Sequence, residues 1–171
     1  MCPAASIAVV VDGPDPDRNL QARARQLAAE LALPLIGVGE QSQYDLLLTV
    51  TQAGLELGEP GGPTIRADFA TGRLRRRADS PGQGAAMLRR AVGFKRPPWR
   101  VLDLTAGRGR DAFLLAVAGC EVTAIERSPI IAALTADGLT RAAASADEEL
   151  AGALGRLRLL AGDSRQWLAA G

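Results

Sequence analysis

The stretch VLDLTAGRGRDAF, Val101 to Phe113, decides the fold. Val101 to Leu104 is a short apolar run that predicts a strand. Gly107 and Gly109 predict a tight turn, and Arg110 to Ala118 carries apolar residues at helical spacing. Strand, glycine turn and helix in that order hold nucleotide-like cofactors. The glycines admit close backbone approach, and the start of the helix presents free N–H groups. The rhythm then repeats: a strand over Glu121 to Ile125, a helix over Pro129 to Ala143, a strand over Leu157 to Leu160, then GDSRQWLAAG. Such alternation predicts a parallel sheet with right-handed crossovers.

Two cofactor classes suit the turn. Gly107, Gly109 and Ala112 fit the dinucleotide pattern G-x-G-x-x-G/A, and Glu126 stands where a ribose-binding acid belongs. Asp103, at the end of the first strand, separates the two by sign. A carboxylate repels a pyrophosphate but attracts the ammonium and sulfonium of S-adenosylmethionine. Unit charges 4 Å apart interact by roughly 4 kcal/mol at an effective dielectric near 20. The third strand ends in Asp163 and Ser164. Asp163 can accept from the exocyclic amine of an adenine, and Ser164 can donate or accept at the ring edge. Simpler roles stay open for each acid. Asp103 can cap its own turn, Glu126 can pair with Arg127, and Asp163 or Ser164 can cap the last helix.

The run DLTAGRGRDAFLLAVAGCEVTAIERSPIIAALTADGL, Asp103 to Leu139, closely resembles the bacterial ribosomal RNA small-subunit methyltransferase J family. The upstream ADFATGRLRRR, GQG and LRRAVGFK segments resemble it more loosely. The resemblance implies an α/β fold: the first half of a Rossmann-like class I methyltransferase sheet, preceded by a small mixed α/β lobe. It implies methyl transfer from S-adenosylmethionine to the exocyclic N2 of a guanine in small-subunit rRNA. It also implies cofactor contacts at Arg110 and Asp111, Glu126 and Arg127, and Asp163 and Ser164. Asp103, Thr105, Gly107 and Gly109 belong to the same cofactor-binding run. Family members continue to a fourth strand ending in Asp-Pro-x-x-Pro, which holds the guanine amine and works mainly by positioning. No Asp-Pro follows Ser164 in this chain, and Asp15-Pro16 lies in the N-terminal part. The expectation is a truncated chain with no catalytic residues of its own and no RNA methylation. The partner strand of Val101 to Leu104 would then be missing, and the open edge would favour self-association.

The rest of the chain is read as one further lobe. With 171 residues there is room for one domain and an appendage; the expected division is 1–98 and 99–171. A strand is expected over Ser6 to Val11, and a helix over Arg18 to Leu33 capped by Asp17. A brief strand follows at Leu35 to Val38. A hairpin is expected from Asp45 to Val50 and Leu55 to Leu57, and a strand from Thr64 to Phe69. Gly84 to Val92 reads as a short helix, and GFKRPPW as a linker.

Charge is nearly balanced at +1, yet it is unevenly spread. Residues 1–65 carry a net −5, residues 66–100 a net +8, and residues 101–171 a net −2. The basic zone centres on Arg73, Arg75, Arg76 and Arg77, the expected contacts to rRNA phosphates. The chain has no histidine and only two cysteines, Cys2 and Cys120, which argues against an ordinary zinc site or a histidine triad. Lone thiols and the lack of any long apolar run suggest a cytoplasmic protein with no membrane partner. Two rival readings remain: a non-catalytic module that binds cofactor or RNA, and a fragment of a nicotinamide-dependent oxidoreductase.

Overall fold

The computed structural model describes residues 5–13, 15–71, 88, 91, 93 and 99–169. Two compact units emerge, Met1–Arg66 and Ala67–Gly171. The helix expected over Gly84 to Val92, the linker and the basic loop lie almost wholly outside the described residues.

The first unit is a four-stranded sheet with one long helix. β1 (Ile7–Val11) runs parallel to β2 (Leu46–Thr51). β2 turns through a hairpin into β3 (Gly54–Gly58), which pairs antiparallel with the two-residue β4 (Thr64–Ile65). Helix α1 (Arg18–Leu31) begins where Asp17 accepts the N–H groups of Asn19 and Leu20. It ends at Ala32 in the left-handed conformation, short of the Leu33 that the spacing suggests. The helix lies against β1 and β2 and buries Ala24 and Ala28. Alternation along β1 and β2 puts Ala8, Val10 and Leu47 in one cluster under Ile36 and Tyr44. A reciprocal clamp registers the strand starts: the Ser6 N–H and hydroxyl donate to Asp45, whose N–H donates back to Ser6 Oγ. The Ser6 backbone N–H, then its hydroxyl, pull the Asp45 carboxyl below its usual range.

Two strand expectations change. Leu35 makes only an isolated bridge to Val9, and the chain then forms a 3-10 turn over Val38–Gln43. The strand expected over Thr64 to Phe69 stops at Ile65. Ala67 and Phe69 leave the sheet and are buried in the core of the second unit instead. Burial of an aromatic ring there outweighs two further rungs of an exposed edge ladder.

The second unit is a three-stranded parallel sheet in the order β5-β6-β7, with β5 (Arg100–Asp103), β6 (Glu121–Glu126) and β7 (Leu157–Ala161). Helix α2 (Arg110–Val117) crosses from β5 to β6, and α3 (Pro129–Ala144) with α4 (Glu148–Gly155) from β6 to β7. A last helix, α5 (Ser164–Ala169), follows β7. Asp147 caps α4 by accepting the Leu150 N–H.

Beyond its exposed first residues, Arg110 and Asp111, α2 is apolar on every side because Ala112 to Ala116 are buried. Ala112, Leu115 and Ala116 pack with Val122 and Ala124 of β6. Phe113 and Leu114 turn the other way, towards Phe69, Ala142, Leu150 and Ala153. Arg156 donates from Nε to the Ala116 carbonyl (2.9 Å), satisfying an acceptor near the C-terminal end of α2. α3 is held to the segment entering the unit. An added Cβ on Gly138 would lie 2.7 Å from Ala67 Cβ, so only glycine permits the approach. Arg141 pairs with buried Asp137 (2.8 Å) and donates to the Ala67 carbonyl (2.5 Å).

Candidate cofactor site at the strand ends

β5 runs into a turn that is held by its own Asp103 and by β6. The Thr105 N–H donates to Asp103 Oδ1 (3.0 Å), the local cap that the sequence left open as one role for Asp103. The Ala106 N–H reaches across to the Ile125 carbonyl (2.9 Å), tying the turn to β6. Gly107 and Gly109 both take left-handed backbone angles, φ +53° and +69°. The Gly107 N–H donates to Glu126 Oε2 (2.7 Å), while Glu126 Oε1 accepts the Ser128 N–H (2.7 Å). Glu126 meets these backbone groups, and among the described residues no ion pair joins it to Arg127. An ionised carboxylate has about four acceptor positions, so two remain for a diol.

The two glycines differ in their surroundings. A Cβ on Gly109 would meet Thr135 Cγ2 at 3.1 Å and Phe69 Cζ at 3.2 Å, so this glycine serves packing. Nothing lies within 4 Å of the corresponding position on Gly107, so this glycine faces open space. Its neighbours Ala106 and Arg108 line a cavity of about 540 Å³. Asp103, Thr105, Arg110 and Asp111 line it, with Arg108 and the apolar Val101 and Leu115. The sheet thus brings four of the expected cofactor residues to one concavity. Gly107, Gly109, Glu126, Arg127, Asp163 and Ser164 are not among the residues that line it. The Gly162 N–H donates to the Glu126 carbonyl (2.8 Å), which sets the end of β7 beside the end of β6.

Asp163 follows at the end of β7. Arg165 hydrogen-bonds its carboxylate through both guanidinium and backbone N–H, and these contacts lower its pKa to about 2. Arg127 adds a weaker attraction to the same carboxylate. Three acids therefore stand at three successive strand ends, each held by donors. Such an array can accept from hydroxyl and amine groups and can balance a cation.

Thr135 is a site residue that sequence reasoning missed. It is buried, and its hydroxyl lies 3.0 Å from the Gly107 carbonyl and 2.8 Å from the Ile131 carbonyl. Its signal was present: a polar residue in register with Ala132, Gly138 and Ala142 on the inner face of α3. The expected phosphate contacts Arg73, Arg75, Arg76 and Arg77 lie outside the described residues. Among the described residues no group of three or more acidic or cysteine side chains could hold a metal ion, and no helix is long and apolar enough to cross a membrane.

Comparison with known proteins agrees with this geometry. A family described as putative SAM-dependent methyltransferase matches residues 26–171. A ribosomal RNA small subunit methyltransferase J from Thioalkalivibrio sulfidiphilus is 48% identical over 89% of the chain, and one from Marinobacter nauticus is 44% identical over 85%. The chain spans 60% and 54% of the length of these two relatives. The crystal structure of a SAM-dependent methyltransferase from Neisseria gonorrhoeae superimposes with a TM-score of 0.70 at 27% identity, over 95% of this chain and 63% of that one.

Proposed function

This chain belongs to the family of putative SAM-dependent methyltransferases, and we propose that its second unit is the S-adenosylmethionine-binding part of an enzyme that methylates guanine N2 in small-subunit ribosomal RNA. The open space at Gly107, between two residues that line a cavity holding Asp103, Asp111, Arg108 and Arg110, supports this reading. A left-handed glycine with room in front of it lets a ligand approach the backbone. Asp103 and Asp111 in that lining suit the ammonium and sulfonium of the cofactor, and the arginines beside them suit its carboxylate. When bound, the cofactor supplies an electrophilic methyl group on a positively charged sulfur.

The residues divide the ligand among them. Asp103 and Asp111 face the cationic amino-acid end, and Arg110 takes its carboxylate. Thr105, Gly107 and Gly109 form the turn that the ligand approaches. Glu126 accepts from the ribose hydroxyls, with Arg127 beside it. Asp163 and Ser164 read the adenine edge. Isothermal calorimetry of this chain with S-adenosylhomocysteine and with NAD tests the assignment. Binding of the first alone is expected; binding of NAD alone would overturn it.

The RNA part of the proposal rests on the relatives' names and on the charge of residues 66–100. Reversing Arg75, Arg76 and Arg77 is expected to weaken rRNA binding and to flatten its salt dependence. Unchanged filter-binding curves would defeat it. β5 also lies at the edge of its sheet among the described residues, with Leu102 and Leu104 exposed. We take this edge as a surface for self-association. Sedimentation velocity that finds only monomers would remove that part.

A further inference from the structure

We propose that Arg165 is the positioning residue for adenine recognition, fixing the plane of the Asp163 carboxylate so that it accepts the exocyclic amine of the cofactor. The inference rests on the cofactor reading of the strand ends and goes beyond it, because no family pattern singled out Arg165.

The three strand-end acids are held differently. Asp103 accepts the Thr105 N–H, and Glu126 accepts the Gly107 and Ser128 N–H groups, all from the backbone. Asp163 accepts a backbone N–H as well, from Arg165 (2.9 Å). That bond alone would close the local turn. The Arg165 side chain nevertheless folds back onto the same carboxylate. Its Nη2 donates to Oδ2 at 2.6 Å, and its Nε lies 3.1 Å from Oδ1 and 3.2 Å from Oδ2. A fork of this kind fixes both the position and the plane of a carboxylate.

Exposure shows which partner serves the other. The Arg165 side chain is 79% exposed and that of Asp163 only 17%. The guanidinium therefore braces the acid from the solvent side. Each carboxylate oxygen has two lone pairs, so the braced group keeps acceptor capacity for one more donor. Beside a guanidinium it also stays ionised, and it can accept but not donate. An amine at C6 of a purine satisfies it, and an oxo group there does not. The geometry thus predicts a preference for adenine over hypoxanthine. Discrimination is strong when the wrong ligand leaves a polar group unpaired.

Calorimetry with S-adenosylhomocysteine and S-inosylhomocysteine tests this on the full chain. Exposed ion pairs add little to stability, so Arg165→Gln is expected to fold. It should weaken the adenosyl ligand about tenfold, the loss of a charge-braced acceptor, and leave the inosyl ligand unchanged. Arg165→Lys keeps the charge without the fork and should behave like the glutamine variant. Equal loss on both ligands, no loss on either, or full affinity with lysine would overturn the positioning role. Wild-type chain that binds neither ligand would instead overturn the cofactor reading itself.

Discussion

Phe113→Ala is expected to destabilise the second unit by about 3–5 kcal/mol, the usual loss for a buried phenylalanine. The ring is fully buried. It meets Phe69 with centroids 5.3 Å apart and planes tilted by 56°, a geometry worth about 0.5–1.5 kcal/mol beyond area burial. With Leu114 it carries α2 into the cluster of Ala142, Leu150 and Ala153. Truncation leaves a cavity in the middle of three helices, where collapse is difficult. Both tryptophans of the chain, Trp99 and Trp167, lie in this unit. Urea titration followed by tryptophan fluorescence therefore reads the correct part of the molecule. A midpoint like that of the wild type would show that Phe113 is not a core residue.

Gly109→Ala is expected to cost about 2–4 kcal/mol, although it adds a single methyl group. Two effects combine. The residue sits at φ +69°, where a side chain costs roughly 1–2 kcal/mol. The new Cβ would also press on Thr135 Cγ2 at 3.1 Å and Phe69 Cζ at 3.2 Å, and overpacking a tight site costs about 1–3 kcal/mol. A stiffer unfolded chain returns roughly 0.4–1 kcal/mol. Gly107→Ala shares only the backbone cost, because its Cβ would meet open space. The same urea titration should place Gly109→Ala well below Gly107→Ala. Equal midpoints would mean that the contacts to Thr135 and Phe69 do not hold Gly109 in place.

Much of the second unit was legible in the sequence. Its three strands and the helices α2 and α3 fall within one residue of their expected bounds, because period and punctuation agree there, whereas α4 was not expected as a helix and α5 had no stated bounds. Glycine turns and a proline at the start of α3 are local signals with local causes. The first unit was less legible after α1. Leu35 to Val38 and Thr64 to Phe69 are both apolar enough for strands. Nothing in either segment says that one becomes a 3-10 turn, or that the other gives Phe69 to a different core. That choice depends on what is packed nearby.

The sequence by itself determined the parallel strand-turn-helix order, the acids at the strand ends and the glycines of the turn. Spacing and charge sign are properties of the chain, and they act over a few residues. Tertiary structure alone decided how those residues are held. It placed Thr135 against the Gly107 carbonyl, Phe69 against Gly109 and Arg165 on Asp163. It also separated two glycines that look alike in the sequence, one facing packed side chains and the other open space. Only the three-dimensional neighbours of a Cβ position distinguish a glycine kept for packing from one that leaves room for a ligand.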